Sequence, residues 1–164
     1  NHDLPVRLRY RAREYFREAQ HHMKFLRSVQ STENLPPSLR GSIVEHMAFC
    51  YFHHIRVFRS TGTKFRQEVA GRLRPHFFER QDRINLPESL CVVERGAILL
   101  GSRIASRFGH WGIDNIINNS KFRRVFLAKC LTHAEVLELH RNDLFQVLSN
   151  FPLERLVFGR AAVC

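Results

Sequence analysis

The stretch from Phe108 to Arg124, Phe-Gly-His-Trp-Gly-Ile-Asp-Asn-Ile-Ile-Asn-Asn-Ser-Lys-Phe-Arg-Arg, constrains the fold of this chain more than any other. β-type sequence precedes it and follows it. Between the two lie glycines, a short helical turn expected to open at Asp114, and the arginine pair Arg123 and Arg124. Helix-start amides combined with a guanidinium make a standard anion site, so the segment reads as a phosphate-cradling cassette set into a β-structure.

The chain before the cassette begins with helical periodicity. Leu8, Ala12, Tyr15, Phe16, Ala19, Met23 and Leu26 recur at three- and four-residue steps on an otherwise basic helix. Ser31 to Asn34 interrupts it. A second helix is expected with Leu39, Ile43, Met47, Tyr51 and Ile55 on one stripe. Both helices open on Leu-Pro-x-x-Leu-Arg, at Leu4 and at Leu35 before Pro36, with proline suited to a first helical turn. Thr63 is the expected N-cap of a third helix, which carries Phe65, Val69 and Leu73 and is expected to stop at Pro75.

From His76 onward the texture becomes short β-type runs: Phe77-Phe78, Ser89 to Val93, Ala97 to Leu100, Arg103 to Phe108, Val125 to Cys130 and Glu135 to Leu139. Closely spaced turns between short strands predict an antiparallel roll or sandwich, and Gly101-Ser102 predicts a tight hairpin. After Asp143 helical spacing returns, with Pro152 dividing it in two. The fold class expected is therefore α+β: an N-terminal helical region, an antiparallel, jelly-roll-like β-roll with an inserted short helix, and C-terminal helices.

A net charge of +11 allows contact with nucleic acid, anionic lipid or an acidic partner. Its densest part, Arg7, Arg9, Arg11, Arg13, Arg17, Lys24 and Arg27, reads first as a solvated helix face, and no helix-turn-helix or aromatic-basic RNA motif accompanies it. Beside an anionic leaflet each basic residue would contribute about 1 kcal/mol. No apolar run reaches the roughly 18 residues of a membrane span. The start at Asn1 and the end at Cys164 suggest a fragment of a larger protein. Cys50, Cys91, Cys130 and Cys164 lie far apart in apolar contexts, which reads as reduced packing residues.

The order of these features resembles the C-linker and cyclic-nucleotide-binding domain of the cyclic-nucleotide-gated, hyperpolarisation-activated and EAG-type channel superfamily. The resemblance rests on Leu4-Pro5 through Phe16 and Leu35-Pro36 through Phe58 for the C-linker. In the β-region it rests on Gln81-Asp82-Arg83-Ile84, on Val92-Val93-Glu94-Arg95-Gly96, and on the cassette itself. Leu131 through Val136 and Asn142 through Pro152 complete it. The resemblance implies a nucleotide pocket at Trp111, Gly112, Ile113, Asp114, Arg123, Arg124, Val125 and Phe126. In that family, a glutamate after the cassette glycine holds the ribose hydroxyl, and Arg-Thr-Ala contacts the cyclic phosphate. Here Ile113 stands at the first position and Arg124-Val125-Phe126 at the second, with Arg123 an alternative for the arginine. Losing the charge-assisted bond at Ile113 implies about 10- to 100-fold weaker binding. Phe126 is large enough to fill the cavity.

Other constellations point less far. His46, Cys50 and His53 share a helical face, a spacing that can hold zinc, but aromatic neighbours and the lack of a supporting carboxylate favour packing or partner contact, and no metal is expected. Glu94-Arg95 reads as a strand-end ion pair and Trp111 as a packing anchor. No nucleophile elbow, paired-carboxylate motif or Walker-type loop is present, so no catalytic residue is assigned.

The expectation is a helical C-linker-like region over 1–57 and a cyclic-nucleotide-binding-homology domain over 58–164, on the cytoplasmic side of a membrane. It would be a gating module of a cation channel whose pocket is weak, empty or self-filled. The alternative is a working cAMP or cGMP sensor of a channel or exchanger. A kinase regulatory subunit and a catabolite-activator-type transcription factor are further rivals. The implied partners are the chain's own pore domain and neighbouring subunits of a homotetramer, with anionic lipid contact allowed and nucleic acid not expected. The implied regulatory ligand is cAMP or cGMP.

Overall fold

The computed structural model describes residues 5–14, 16–17, 35–36, 39, 43, 46, 49–117 and 127–161. The chain divides into two compact units, Asn1–Leu35 and Pro36–Cys164. In the first unit residues 6–14 are helical (α1), as the periodicity predicts, and Val6, Leu8, Tyr10 and Phe16 are exposed. Tyr15, Ala19, Met23 and Leu26 of the expected stripe lie outside the described residues.

In the second unit residues 39, 43, 46 and 49–52 are helical (α2), followed by α3 (Arg56–Arg59) and α4 (Thr63–Ala70). The expected second helix does not run through Ile55. The chain turns at His53 and His54, and Ile55 becomes the extended N-cap of α3, fully buried. Thr63 is the first helical residue rather than the cap. Gly62 takes the cap position, and its amide donates to Glu154 Oε1 at 3.2 Å, a carboxylate from a later helix serving the orphan end. The helix stops at Ala70, ahead of Pro75, with Gly71 as C-cap.

Eight strands follow among the described residues: β1 (Arg74–Phe78), β2 (Arg83–Ile84), β3 (Ser89–Arg95), β4 (Ile98–Leu100), β5 (Arg103–Ala105), β6 (His110–Trp111), β7 (Ala128–Cys130) and β8 (Ala134–His140). A short helix, α5 (Ile113–Ile116), lies between β6 and β7; α6 (Arg141–Leu148) and α7 (Pro152–Ala161) close the described chain. The strands form two four-stranded sheets ordered β1-β8-β3-β6 and β2-β7-β4-β5, with every neighbouring pair antiparallel. The class is α+β. The strand expected over Arg103 to Phe108 ends at Ala105; of the one expected over Val125 to Cys130, Ala128–Cys130 is strand, Leu127 precedes it outside the strand, and Val125 and Phe126 lie outside the described residues.

Gly101 and Ser102 join β4 to β5 in a two-residue hairpin. Leu100 pairs with Arg103, and Gly101 takes φ 60°, the left-handed value that the first loop position of a tight hairpin demands. Pro152 opens α7, where its missing amide costs nothing.

Alternation sorts the strands into faces. Cys91, Val93, Trp111, Ala134 and Val136 of the first sheet join Ile84, Ile98, Leu100, Ala105, Ala128 and Cys130 of the second in one apolar cluster between the sheets. The other side of the first sheet is apolar too, with Leu90, Val92, Leu137 and Leu139 buried, and α6 packs against β8 and α4. A sheet buried on both faces loses strict alternation, which is why β8 reads as a nearly continuous buried run.

The helices are held by an aromatic cluster. Phe58 stacks on Phe52 at 4.4 Å and meets Phe158 of α7 edge-on at 5.3 Å. Phe65 of α4 packs edge-on against Phe151 at 5.4 Å and lies 5.9 Å from Phe158. Phe52, Phe58 and Phe65 are fully buried. We predict that Phe65→Ala lowers unfolding free energy by about 3–5 kcal/mol, whereas Leu153→Ala, at a residue 73% exposed on α7, stays within about 0.5 kcal/mol. Denaturant titration of both variants checks this; equal losses would mean the cluster does not join α4 to α7.

Candidate functional site

The cassette is fixed to the first sheet by backbone geometry. Trp111 pairs with Cys91 of β3 and is buried. Gly112 then turns at φ 82° and caps α5. A Cβ at this position would sit 2.1 Å from the carbonyl oxygen of Ser89, so the turn has no room for a side chain. Asn115 reinforces the junction, its amide Nδ2 donating to the same Ser89 carbonyl at 3.4 Å. The helical turn opens at Ile113, one residue before the expected Asp114.

Trp111, Gly112, Ile113 and Asp114 are therefore consecutive at one edge of the sheet, with Ile113 and Asp114 half-buried. Arg123, Arg124, Val125 and Phe126 lie outside the described residues. Two features disfavour an anion near α5. The helix has four residues, with Asp114 in its first turn. Its amide dipoles are few, and the carboxylate already supplies negative charge to them. The Ile113 side chain offers no hydrogen-bonding group.

A third feature was not legible in the motif. Glu138 of β8 is buried, and the register places it beside Cys91, whose other neighbour is Trp111. It lies two residues from Val136 and so on the face between the sheets. Both its oxygens are engaged: Ser89 Oγ donates to Oε1 at 2.6 Å, and His76 Nε2 lies 2.6 Å from Oε2. The row Trp111–Cys91–Glu138–Arg74 thus carries a carboxylate inside the roll. Burial first, and then the charge of Glu138, push the Cys91 thiol up, which leaves it a neutral packing group. Cys130 is likewise raised to about 11 by burial and then by Asp82. Only the β-alternation of Ser89, Cys91, Val136 and Glu138 could have signalled this row, and it requires knowing the register.

A second polar group gathers at the β5–β6 connection. A bulge in β3 at Glu94, between Val93 opposite Val136 and Arg95 opposite Glu135, re-aims the Glu94 side chain. Its Oε1 lies 3.7 Å from Arg107, while the buried Oε2 lacks a hydrogen-bond partner among the described residues. The ion pair expected of Glu94 is thus made with Arg107 across the β5–β6 turn. Burial raises the Glu94 pKa, opposed by Arg107 and by the Tyr51 hydroxyl; burial also raises Tyr51 itself. His110, desolvated in the same region, has its pKa lowered, with Arg103 and His54 adding to the effect against the Phe108 carbonyl.

Of the residues weighed for zinc, His46 Nε2 and Cys50 Sγ approach to 3.8 Å and His53 stacks on Phe49 at 4.7 Å. Among the described residues no group of three or more His, Cys, Asp or Glu side chains is arranged to hold a metal.

Two predictions follow from this geometry. Gly112→Ala introduces a side chain into left-handed backbone against Ser89, and the folded state should lose at least about 2 kcal/mol in denaturant titration; a neutral result would mean that the junction is not rigid. A raised Glu94 pKa means that the folded state holds this proton more tightly than the unfolded chain. Its contribution is full below the ordinary glutamate value and is lost as pH rises through the raised one. The pH profile of stability for Glu94→Gln should therefore lack that downward slope relative to wild type; parallel profiles would contradict the burial argument.

No known family model matches the chain, and no curated protein matches it.

Proposed function

We propose that the chain is a non-catalytic, cytoplasmic regulatory module of a membrane cation channel, with a degenerate cyclic-nucleotide pocket. The observation that carries the reading is the placement of α5 directly after Trp111-Gly112, between β6 and β7 of a two-sheet body, with α6 and α7 following β8. That order is what the resemblance to the C-linker and cyclic-nucleotide-binding domain leads one to expect. On this reading residues 1–57 couple the module to a pore and to neighbouring subunits of a tetramer, and residues 58–164 form a jelly-roll-like body.

The chemistry of the cassette supports a weak or absent nucleotide response. Ile113 cannot hold a ribose hydroxyl, Asp114 offsets the short helix, and Glu138 puts a carboxylate on the inner row that Trp111 begins. A nucleotide can bias a gate only through its differential affinity for the two gating states. With that affinity lost, the body acts as a fixed brace whose packing sets the resting position of the helices. Isothermal titration of the full chain with cAMP and cGMP up to millimolar concentration tests this. The expected result is no saturable heat and no thermal stabilisation. Micromolar binding that disappears in Arg123→Ala or Arg124→Ala would instead establish the nucleotide sensor.

A further inference from the structure

Arg103, Arg107, His54 and His110, none of which the sequence reading gave a binding role, border one concave surface. The groove is about 350 Å³ and is lined by His54 and by the run from Arg103 to His110. We propose that this groove binds a phosphate group, at a site that includes Phe108 to His110 at the start of the cassette stretch but neither α5 nor the Arg123-Arg124 pair.

The groove is organised around Phe108, which holds φ 65°, a left-handed value that a bulky side chain takes only when its surroundings enforce it. Three backbone bonds do so. Phe108 N–H donates to Val93 O at 2.8 Å, Val93 N–H to Gly109 O at 2.8 Å, and Gly109 N–H to Ser106 O at 2.7 Å. So held, the Phe108 ring packs with His54, stacked at 5.3 Å, and with the Arg107 guanidinium, 4.9 Å from its centroid. Arg103 is oriented by donating to His110 O at 3.3 Å.

The donors of this groove are underused. Arg103 has no carboxylate partner among the described residues, and neither His54 ring nitrogen nor the Ser106 hydroxyl has a hydrogen-bond partner there. Among the described residues Glu94 is the carboxylate paired with the groove's cations, and it meets Arg107 at the long separation of 3.7 Å. Two guanidinium forks, a hydroxyl and an imidazole offer more donors than the two oxygens of a carboxylate can accept. The three or four oxygens of a phosphate match them, and planar arginine forks suit phosphate geometry. The half-buried Phe108 ring packs against His54 and the Arg107 guanidinium and so sets where both stand at the groove. The groove volume falls in the range of small-ligand sites, leaving room for more than the phosphate itself.

The first probe is inorganic phosphate, titrated into the full chain while amide and arginine side-chain NMR shifts are followed. Sulfate at matched ionic strength serves as a second tetrahedral anion and chloride as the salt control. The expected result is saturable shifts at Arg103, Arg107 and Ser106 with phosphate and sulfate but not chloride, weakened about tenfold by Arg103→Gln or Arg107→Gln. Glu94→Gln should act in the opposite sense and tighten binding, a gain that misfolding cannot imitate. Shifts spread evenly over the basic surface, or binding unchanged in the Arg103→Gln and Arg107→Gln double variant, would overturn the proposal. So would phosphate affinity unaltered by Glu94→Gln. Inositol hexakisphosphate and vesicles of phosphatidic acid in phosphatidylcholine then separate the sources. Arginine-dependent binding of the soluble compound alone identifies a free phosphorylated metabolite, and arginine-dependent sedimentation with the vesicles identifies a lipid headgroup. This outcome is independent of nucleotide binding at the cassette, so either reading can fail alone.

Discussion

The contact on which the second unit most depends is the packing of Phe58 and Phe65 against Phe158 and Phe151. It joins helices that precede all eight strands to a helix that follows them. The sheets lie between those segments in sequence, so these rings close a loop of most of the unit's length. Closing a long loop costs entropy that grows only slowly with its length, and large buried aromatic surfaces offset it well. The bond from Gly62 to Glu154 spans the same two regions and ties the start of α4 to α7. Any displacement of α7 would therefore be felt at α3 and α4 before it reached the sheets.

Much of this architecture was legible because period and punctuation agree with tertiary demand. Gly101-Ser102 made the hairpin, Pro152 divided the last helices, and the runs from Ser89 and Glu135 became the two long central strands. The misreadings share a cause. Ile55 continued a helical stripe on paper, yet the chain turns at His53 and His54, and Ile55 is instead fully buried as the extended N-cap of α3. Thr63 was the better cap by residue type, but a glutamate from a distant helix does the capping, a contact that no local rule anticipates. Arg103 to Phe108 looked like one strand, and its second half instead forms the turn that holds Phe108 left-handed.

The candidate sites divide along the same line. Trp111-Gly112 announced itself through a glycine placed where only glycine fits, a local requirement that sequence records faithfully. Glu138 and the Arg103–His110 groove depend on which strands lie side by side and on one bulge at Glu94. Two electrostatic settings result within one small body. Inside the roll a carboxylate with both oxygens engaged sits in the row from Trp111; at the β5–β6 turn, among the described residues, Arg103 and Arg107 stand against one carboxylate, Glu94.

The Glu138 arrangement has a consequence for how the chain finds its pairing. Ser89 and His76, which occupy its two oxygens, belong to β3 and β1, the strands on either side of β8. Shifting β8 by one residue would turn the carboxylate toward the leucine-lined helical side and put Leu137 or Leu139 in its place. A charge stranded there without donors would cost several kcal/mol, far more than a leucine gains or loses by changing sides of a sheet buried on both faces. The apolar residues of β8 alone distinguish its two faces poorly. Glu138 with its Ser89 and His76 partners, set against Glu135 buried on the opposite face, supplies the missing asymmetry, acting as a key that lets the strand seat in one alignment.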